Sequence, residues 1–256
     1  MGIYNMTQLN VPAPGGDLYG ELYVPDDNKA KHPMIIVCHG MYYSYTMTQA
    51  SCKALAEKGF ASYCFDFHGC SYTNASGGDL TKASIITEKA EVEACIDYFK
   101  AQDYVDSDKI VIIGQSLGGV VCSLAAIDKQ SDLAGLILMY PAYMTFDVIN
   151  KMFPERDKVP EIVKDAIGVP GIDYGRIFYT DIIDCDFDKI VSHNFKKPVL
   201  LLHGDKDSQV PMEYIEKAGG MFDDIKTIIE PGKEHGYQLD DTDIDYVVDF
   251  LNKLFA

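Results

Sequence analysis

The chain has 256 residues, 47% hydrophobic and 24% charged, an ordinary globular composition that excludes a disordered, collagen-like or coiled-coil chain. Its 39 acidic residues against 22 basic ones give a net charge of −17. A body that acidic repels phosphate backbones and anionic lipid, so nucleic acid is not an expected partner.

Short β-rich runs alternate with helix-like segments, the pattern of an α/β fold with a mostly parallel central sheet flanked by helices. Before the first run, the start MGIYNMTQLNVPAPGG has neither a basic nor an apolar leader region, so no signal peptide is expected. Asp17–Val24 alternates apolar and polar residues and predicts a half-exposed antiparallel edge strand, followed by a turn at Pro25–Asn28. Continuous apolar runs at Met34–Cys38, Ala61–Phe67, Ile110–Ile113, Leu133–Met139, Val199–Leu202 and Ile225–Ile229 predict strands buried on both faces. Between them, helices are expected near Thr48–Lys58, Thr87–Lys100, Leu117–Asp128 and Tyr214–Ala218, with a last one over about Asp243–Phe255. Gly59 is a suitable stop for the first helix.

From Ala142 to Val191 the rhythm breaks. About 50 residues, rich in Met, Phe, Tyr and Ile and interrupted by Pro154, Pro160 and Pro170, stand where one helix would suffice. This stretch reads as an insertion with a small core of its own, as a lid over a pocket, or as both. The acidic runs Asp181–Asp188 and Asp240–Asp245 lack the Gly and closing Glu of a calcium loop, so no metal is expected. Seven cysteines form no CxxC pair, and Cys38, Cys64 and Cys122 sit in apolar runs as small hydrophobes. No apolar stretch reaches 18 residues. A reducing cytoplasm is therefore the expected home.

The run Ile110–Ala126 carries the chemistry. A β-run leads into Gly114-Gln115-Ser116-Leu117-Gly118, and a helical segment follows at once. This is G-x-S-x-G in its strand–turn–helix setting, which makes Ser116 the candidate nucleophile. Glycines are needed because side chains at Gly114 and Gly118 would strike the neighbouring strand and helix. A serine hydroxyl needs a base, and the base needs an orienting acid. In the chain order Ser, acid, His, the late loop histidine His235 is the base, whereas His193 precedes a strand and has no acid in order. LLHGDKDSQVP offers Asp205 and Asp207; Asp207 is preferred, because the first aspartate after a glycine can cap the turn instead. The oxyanion hole takes one backbone N–H from Leu117 and one from Met41, where Gly40 lets the chain turn inward. His39 is then a structural histidine.

Together HGM (His39–Met41), FDFHG (Phe65–Gly69), GQSLGG (Gly114–Gly119), HGDKDSQVP (His203–Pro211) and EHGY (Glu234–Tyr237) resemble the α/β-hydrolase superfamily over nearly the whole chain. Within it the chain is most similar to compact bacterial esterases acting on cinnamoyl and feruloyl esters. That resemblance implies a single hydrolase domain over residues 1–256 with a lid inserted at 142–191, no cofactor, and the roles given above for Ser116, Asp207, His235, Met41 and Leu117. It further implies lid groups that hold phenolic hydroxyls, by position Asp147 and Tyr179, while Tyr42, Tyr43 and Tyr45 either line an aromatic acyl pocket or pack under the lid. The chain departs from the pattern at Gln115, where the family usually has His, and at FDFHGCS in place of FDFxGxGxS.

The expected activity is a serine carboxylic-ester hydrolase acting through an acyl-enzyme on cinnamoyl, feruloyl or other small esters, monomeric or homodimeric. The alternatives are a monoacylglycerol lipase or lysophospholipase and, in another class, a non-catalytic binding protein on the same fold. A peptidase of the prolyl-oligopeptidase kind would bring a propeller for which 256 residues leave no space.

Overall fold

In chain order the elements are β1 (Tyr4–Ala13), β2 (Gly16–Pro25), β3 (His32–Cys38), α1 (Tyr45–Glu57), β4 (Ala61–Phe65), α2 (Ile85–Lys100), β5 (Val105–Gln115), α3 (Leu117–Asp128) and β6 (Gly135–Met139). Then follow α4 (Thr145–Met152), β7 (Ile162–Val163), β8 (Tyr174–Gly175), α5 (Arg176–Asp184), α6 (Phe187–Val191), β9 (Val199–Gly204), α7 (Met212–Met221), β10 (Ile225–Glu230) and α8 (Asp241–Phe255). The structure, a computed structural model, describes residues 3–166, 170–236, 238–239 and 241–256. Residues 167–169 of the expected lid, Tyr237 of the EHGY motif and Asp240 of the acidic run lie outside them.

The main sheet runs β1-β2-β4-β3-β5-β6-β9-β10. The β1–β2 and β2–β4 pairings are antiparallel and the rest are parallel. Alternate strand residues face opposite sides, as a pleat requires. Ile36, Ile112, Leu138 and Leu201 pack on one side with α2 and α3, while Val37, Ile113, Ile137 and Leu202 pack on the other with α1 and α8. Both faces are buried, which is why these strands read as unbroken apolar runs. Fully burying each such side chain is worth about 1.5–3 kcal/mol.

Two expectations change. Asp17–Val24 belongs to β2 as predicted, but β2 is not an edge strand: β1 covers its outer side and takes the edge itself. Of β1, only Val11 is buried, so the strand carries little apolar signal and depends on the hairpin for its place. Among its described residues the inserted stretch shows no separate core. Its buried Tyr174, Phe178, Ile182 and Phe187 join the cluster beneath α2 and α3, and β7 pairs with β8 in a short separate ribbon. Gly59, with φ +95°, follows α1 as expected.

Candidate active site

Five consecutive strands of the sheet, β3, β5, β6, β9 and β10, end on the same side, because they are parallel. The loops after them supply the site. Ser116 sits between β5 and α3 with φ 52° and ψ −119°, a left-handed conformation that a non-glycine residue adopts only under constraint. Its neighbours supply that constraint. Ser116 N donates to Met139 O at 3.0 Å, and Ser116 O accepts from Gly119 N at 2.9 Å and Ala142 N at 3.0 Å. A Cβ on Gly114 would lie 2.4 Å from Gly118 O, and one on Gly118 would lie 2.4 Å from His39 O. The collisions expected from the motif are therefore those of strand, helix and the β3 loop crowding one point.

His235 Nε2 is 3.0 Å from Ser116 Oγ, and His235 Nδ1 is 2.8 Å from Asp207 Oδ2. The other carboxylate oxygen of Asp207 accepts the N–H groups of Gln209 and Val210, each at 2.8 Å. With Nδ1–H committed to the carboxylate, Nε2 is left to accept the serine proton. Both side chains are sealed from solvent, 5% exposed for His235 and 0% for Asp207. Asp205 instead accepts from Gly232 N at 2.7 Å, the capping role that set it aside. His193 pairs with Asp223 on the surface.

His39 is a structural histidine, as expected. It is 1% exposed, its Nε2 accepts Phe67 N–H at 3.2 Å, and its Nδ1 is 2.8 Å from Gly40 O. Burial pushes its pKa down, against smaller upward pulls from Gly40 and Asp66. The same loop turns at residues 40–43, where Tyr43 N donates to Gly40 O at 3.1 Å and Tyr42 takes φ 55°. That turn leaves Met41 N–H free of any acceptor among the described residues, as is Leu117 N–H at the start of α3, and both residues line the cavity above Ser116.

The cavity holds about 620 Å³, within the range of small-molecule sites. Tyr42, Tyr43, Ser116 and His235 line it, together with Gln209 and an apolar wall from the inserted segment: Met144, Thr145, Val148, Ile149, Met152 and Ile172. The wall residues were not anticipated, although Thr145, Val148, Ile149 and Met152 carry a readable i, i+3, i+4, i+7 spacing. Two anticipated contacts are absent from the lining. Asp147 projects from the outer face of α4, one position off the inward stripe, and accepts the Tyr214 hydroxyl at 2.8 Å. Tyr179 is 1% exposed and packs against Phe153 and Phe178. Tyr45 opens α1 and packs on Tyr19. Among the described residues no group of three His, Cys, Asp or Glu side chains is placed to hold a metal, and no helix is long and apolar enough to cross a membrane.

Several solved structures share this architecture. Est1E from Butyrivibrio proteoclasticus, solved with ferulic acid bound, superposes with a TM-score of 0.81 at 23% identity, covering 96% of this chain and 97% of its own. An acetyl xylan esterase from Paenibacillus sp. R4 gives 0.72 at 14% identity, covering 99% and 85%. Alpha/beta hydrolase domain-containing protein 10 from mouse gives 0.72 at 19%, covering 98% of each chain. At those identities the likeness is one of fold. No curated protein sequence matches the chain. The Hydrolase_4 family model, described as serine aminopeptidase S33, matches residues 29–160, over half of the chain, and takes in Met41 and Ser116. The chain belongs to this family of α/β-hydrolase serine hydrolases.

Proposed function

We propose that this serine hydrolase cleaves small carboxylic esters through an acyl-enzyme on Ser116. The observation that carries the reading is the continuous relay from Asp207 through His235 to Ser116 Oγ, at 2.8 and 3.0 Å, opening into an apolar cavity. Ser116 Oγ attacks the ester carbonyl while His235 Nε2 takes its proton, and Asp207 holds the imidazole in the required tautomer. The N–H groups of Met41 and Leu117 receive the developing oxyanion. His235 then protonates the departing alcohol, and water enters by the same route to release the acid. No cofactor takes part in these steps. Residues 142–191 act as the lid that walls the acyl group in.

Among the described residues, no Asp or Glu lines the cavity. An aminopeptidase needs a counter-charge for the free ammonium of its substrate, so this lining favours an ester. A cinnamoyl or feruloyl ester draws support from the apolar walls, from Tyr42 and Tyr43, and from the ferulic acid bound to Est1E. The positions of Asp147 and Tyr179 outside the lining weigh against a phenol-binding lid. A monoacylglycerol or lysophospholipid draws support from Met144 and Met152, whose flexible thioethers adapt to an acyl chain.

Hydrolysis of p-nitrophenyl acetate, butyrate and octanoate and of ethyl ferulate, with Ser116→Ala as control, tests the reading. The expected result is turnover of at least one ester and a loss of about 10³-fold or more in kcat on the substitution. Turnover that survives Ser116→Ala sinks it.

A further inference from the structure

The cavity above Ser116 has a direction. Ala142 N donates to Ser116 O at 3.0 Å, so the inserted segment starts at the nucleophile. From there Thr145, Val148, Ile149 and Met152 carry one wall of the cavity along α4. At about 1.5 Å of rise per residue, Thr145 to Met152 is roughly 10 Å. Thr145 and Ile149 are buried, whereas Val148 is 47% and Met152 48% exposed. Thr145 and Ile149 thus form the buried row of this face and Val148 and Met152 the exposed row beside it, so the wall reaches from the interior to an open rim, and all of it beyond Thr145 is aliphatic or thioether.

We propose that this face of α4 is a ruler for a straight-chain aliphatic acyl group, beginning at Thr145 and ending at Met152. The proposal rests on the esterase reading and adds the substrate class, which is esters of medium-length unbranched fatty acids. A flexible chain fits an apolar stripe that ends in a thioether, and it asks for no polar partner along the way. Beyond Thr145 the α4 wall offers a phenol hydroxyl no hydrogen-bond partner, so a phenol there would have solvent at the rim as its partner, whereas an alkyl chain needs none.

The test compares kcat/KM for p-nitrophenyl acetate, butyrate, octanoate and palmitate in the wild type, Met152→Trp and Val148→Trp. Both substitutions lie at the exposed rim, where bulk does not disturb the core. In the wild type kcat/KM rises about threefold to fourfold per methylene from acetate towards octanoate, as expected for burial of each added methylene. Each tryptophan lowers the octanoate-to-acetate ratio at least tenfold. A flat series in the wild type, or a ratio that neither substitution alters, overturns the ruler while leaving the esterase intact. A wild type that cleaves no ester and whose Ser116 takes no fluorophosphonate overturns both.

A different observation singles out Tyr140, directly after β6. It is non-glycine with φ 40°, held by Tyr140 N donating to Leu202 O at 2.8 Å. Its ring is 1% exposed and meets the His235 imidazole edge to face, centroids 4.9 Å apart at 63°. Burial first, and then Tyr43 and the Asp207 carboxylate, push its phenol well above the ordinary range, which places it among the groups around the base. We infer that Tyr140 is a positioning residue whose ring fixes the plane of His235 between Asp207 and Ser116. With active sites counted by fluorophosphonate titration, Tyr140→Ala lowers kcat on butyrate about tenfold with KM within twofold, and Tyr140→Phe, which keeps the ring, recovers most of that loss. A rise in KM with kcat preserved, or a Phe variant as impaired as the Ala variant, overturns the inference.

Discussion

Ser116 holds a left-handed backbone that costs about 1–3 kcal/mol, and the residues around it are chosen to keep it there. One of the two closest approaches is at Gly118, where a Cβ would stand 2.4 Å from the His39 carbonyl oxygen. Gly118→Ala is expected to lower stability by about 1–3 kcal/mol, read as a shifted urea midpoint, and to cut kcat as the elbow moves. An unchanged midpoint would contradict that packing. The two aspartates separate in the same way. Asp207→Ala is expected to lower kcat about 10⁴-fold, whereas Asp205→Ala, losing a bond from Gly232 N, leaves kcat within a few-fold and costs about 1 kcal/mol of stability. Similar kcat values for the two variants would refute the assignment. Ser116, Asp207 and His235 could be singled out in the sequence because motif and chain order restrict them to a few positions, and the structure brings the three within hydrogen-bond reach of one another. Asp147 and Tyr179 fall outside the cavity lining, because resemblance locates a segment without setting which way its helices face.

At the scale of elements, the buried strands declared themselves through unbroken apolar runs, and β1 hid because only Val11 is buried. Inside α2, Glu88 is fully buried, with Oε1 lacking a partner among the described residues. Burial raises its pKa from 4.5 to about 8, Cys70 pulls it down, and neighbouring Glu91 adds to the rise. Cys70 in turn bonds Tyr174 of β8 at 3.2 Å, so this carboxyl is linked to the β8 part of the inserted segment. Between pH 4.5 and about 8 the folded chain keeps the Glu88 proton and the unfolded chain releases it. Its contribution to stability is therefore full below that window and falls as pH rises through it. Glu88→Gln should flatten the fall in Tm between pH 5 and 8. An identical slope in variant and wild type would count against it. Nearby, a Cβ on Gly175 would meet Thr81 O at 1.8 Å, so Gly175→Ala should pry β8 from the 80–82 turn and raise proteolytic cleavage within the insertion. A cleavage pattern like the wild type's would argue against this anchoring.

Across the whole molecule, residues 119 positions apart meet at 3.0 Å because the adjacent parallel strands end together, the general site of ligand binding in open α/β sheets. That adjacency was not readable: the sequence displays strands in chain order, whereas the sheet places β4 between β2 and β3 and brings β9 beside β6. The net charge of −17 acts at the same scale. An anionic ester should show a higher KM than a neutral one of equal size, and the gap should shrink with added salt as screening sets in. A gap that salt does not change would place its cause inside the cavity.

The central claim is that one serine, activated by one histidine, reacts covalently. Treating the protein with a fluorophosphonate and mapping the adduct by peptide mass spectrometry tests it most directly. The account predicts a single adduct on Ser116, formed rapidly in the wild type and slowed by orders of magnitude in His235→Ala. An unlabelled Ser116, or labelling that proceeds equally fast without His235, would contradict it.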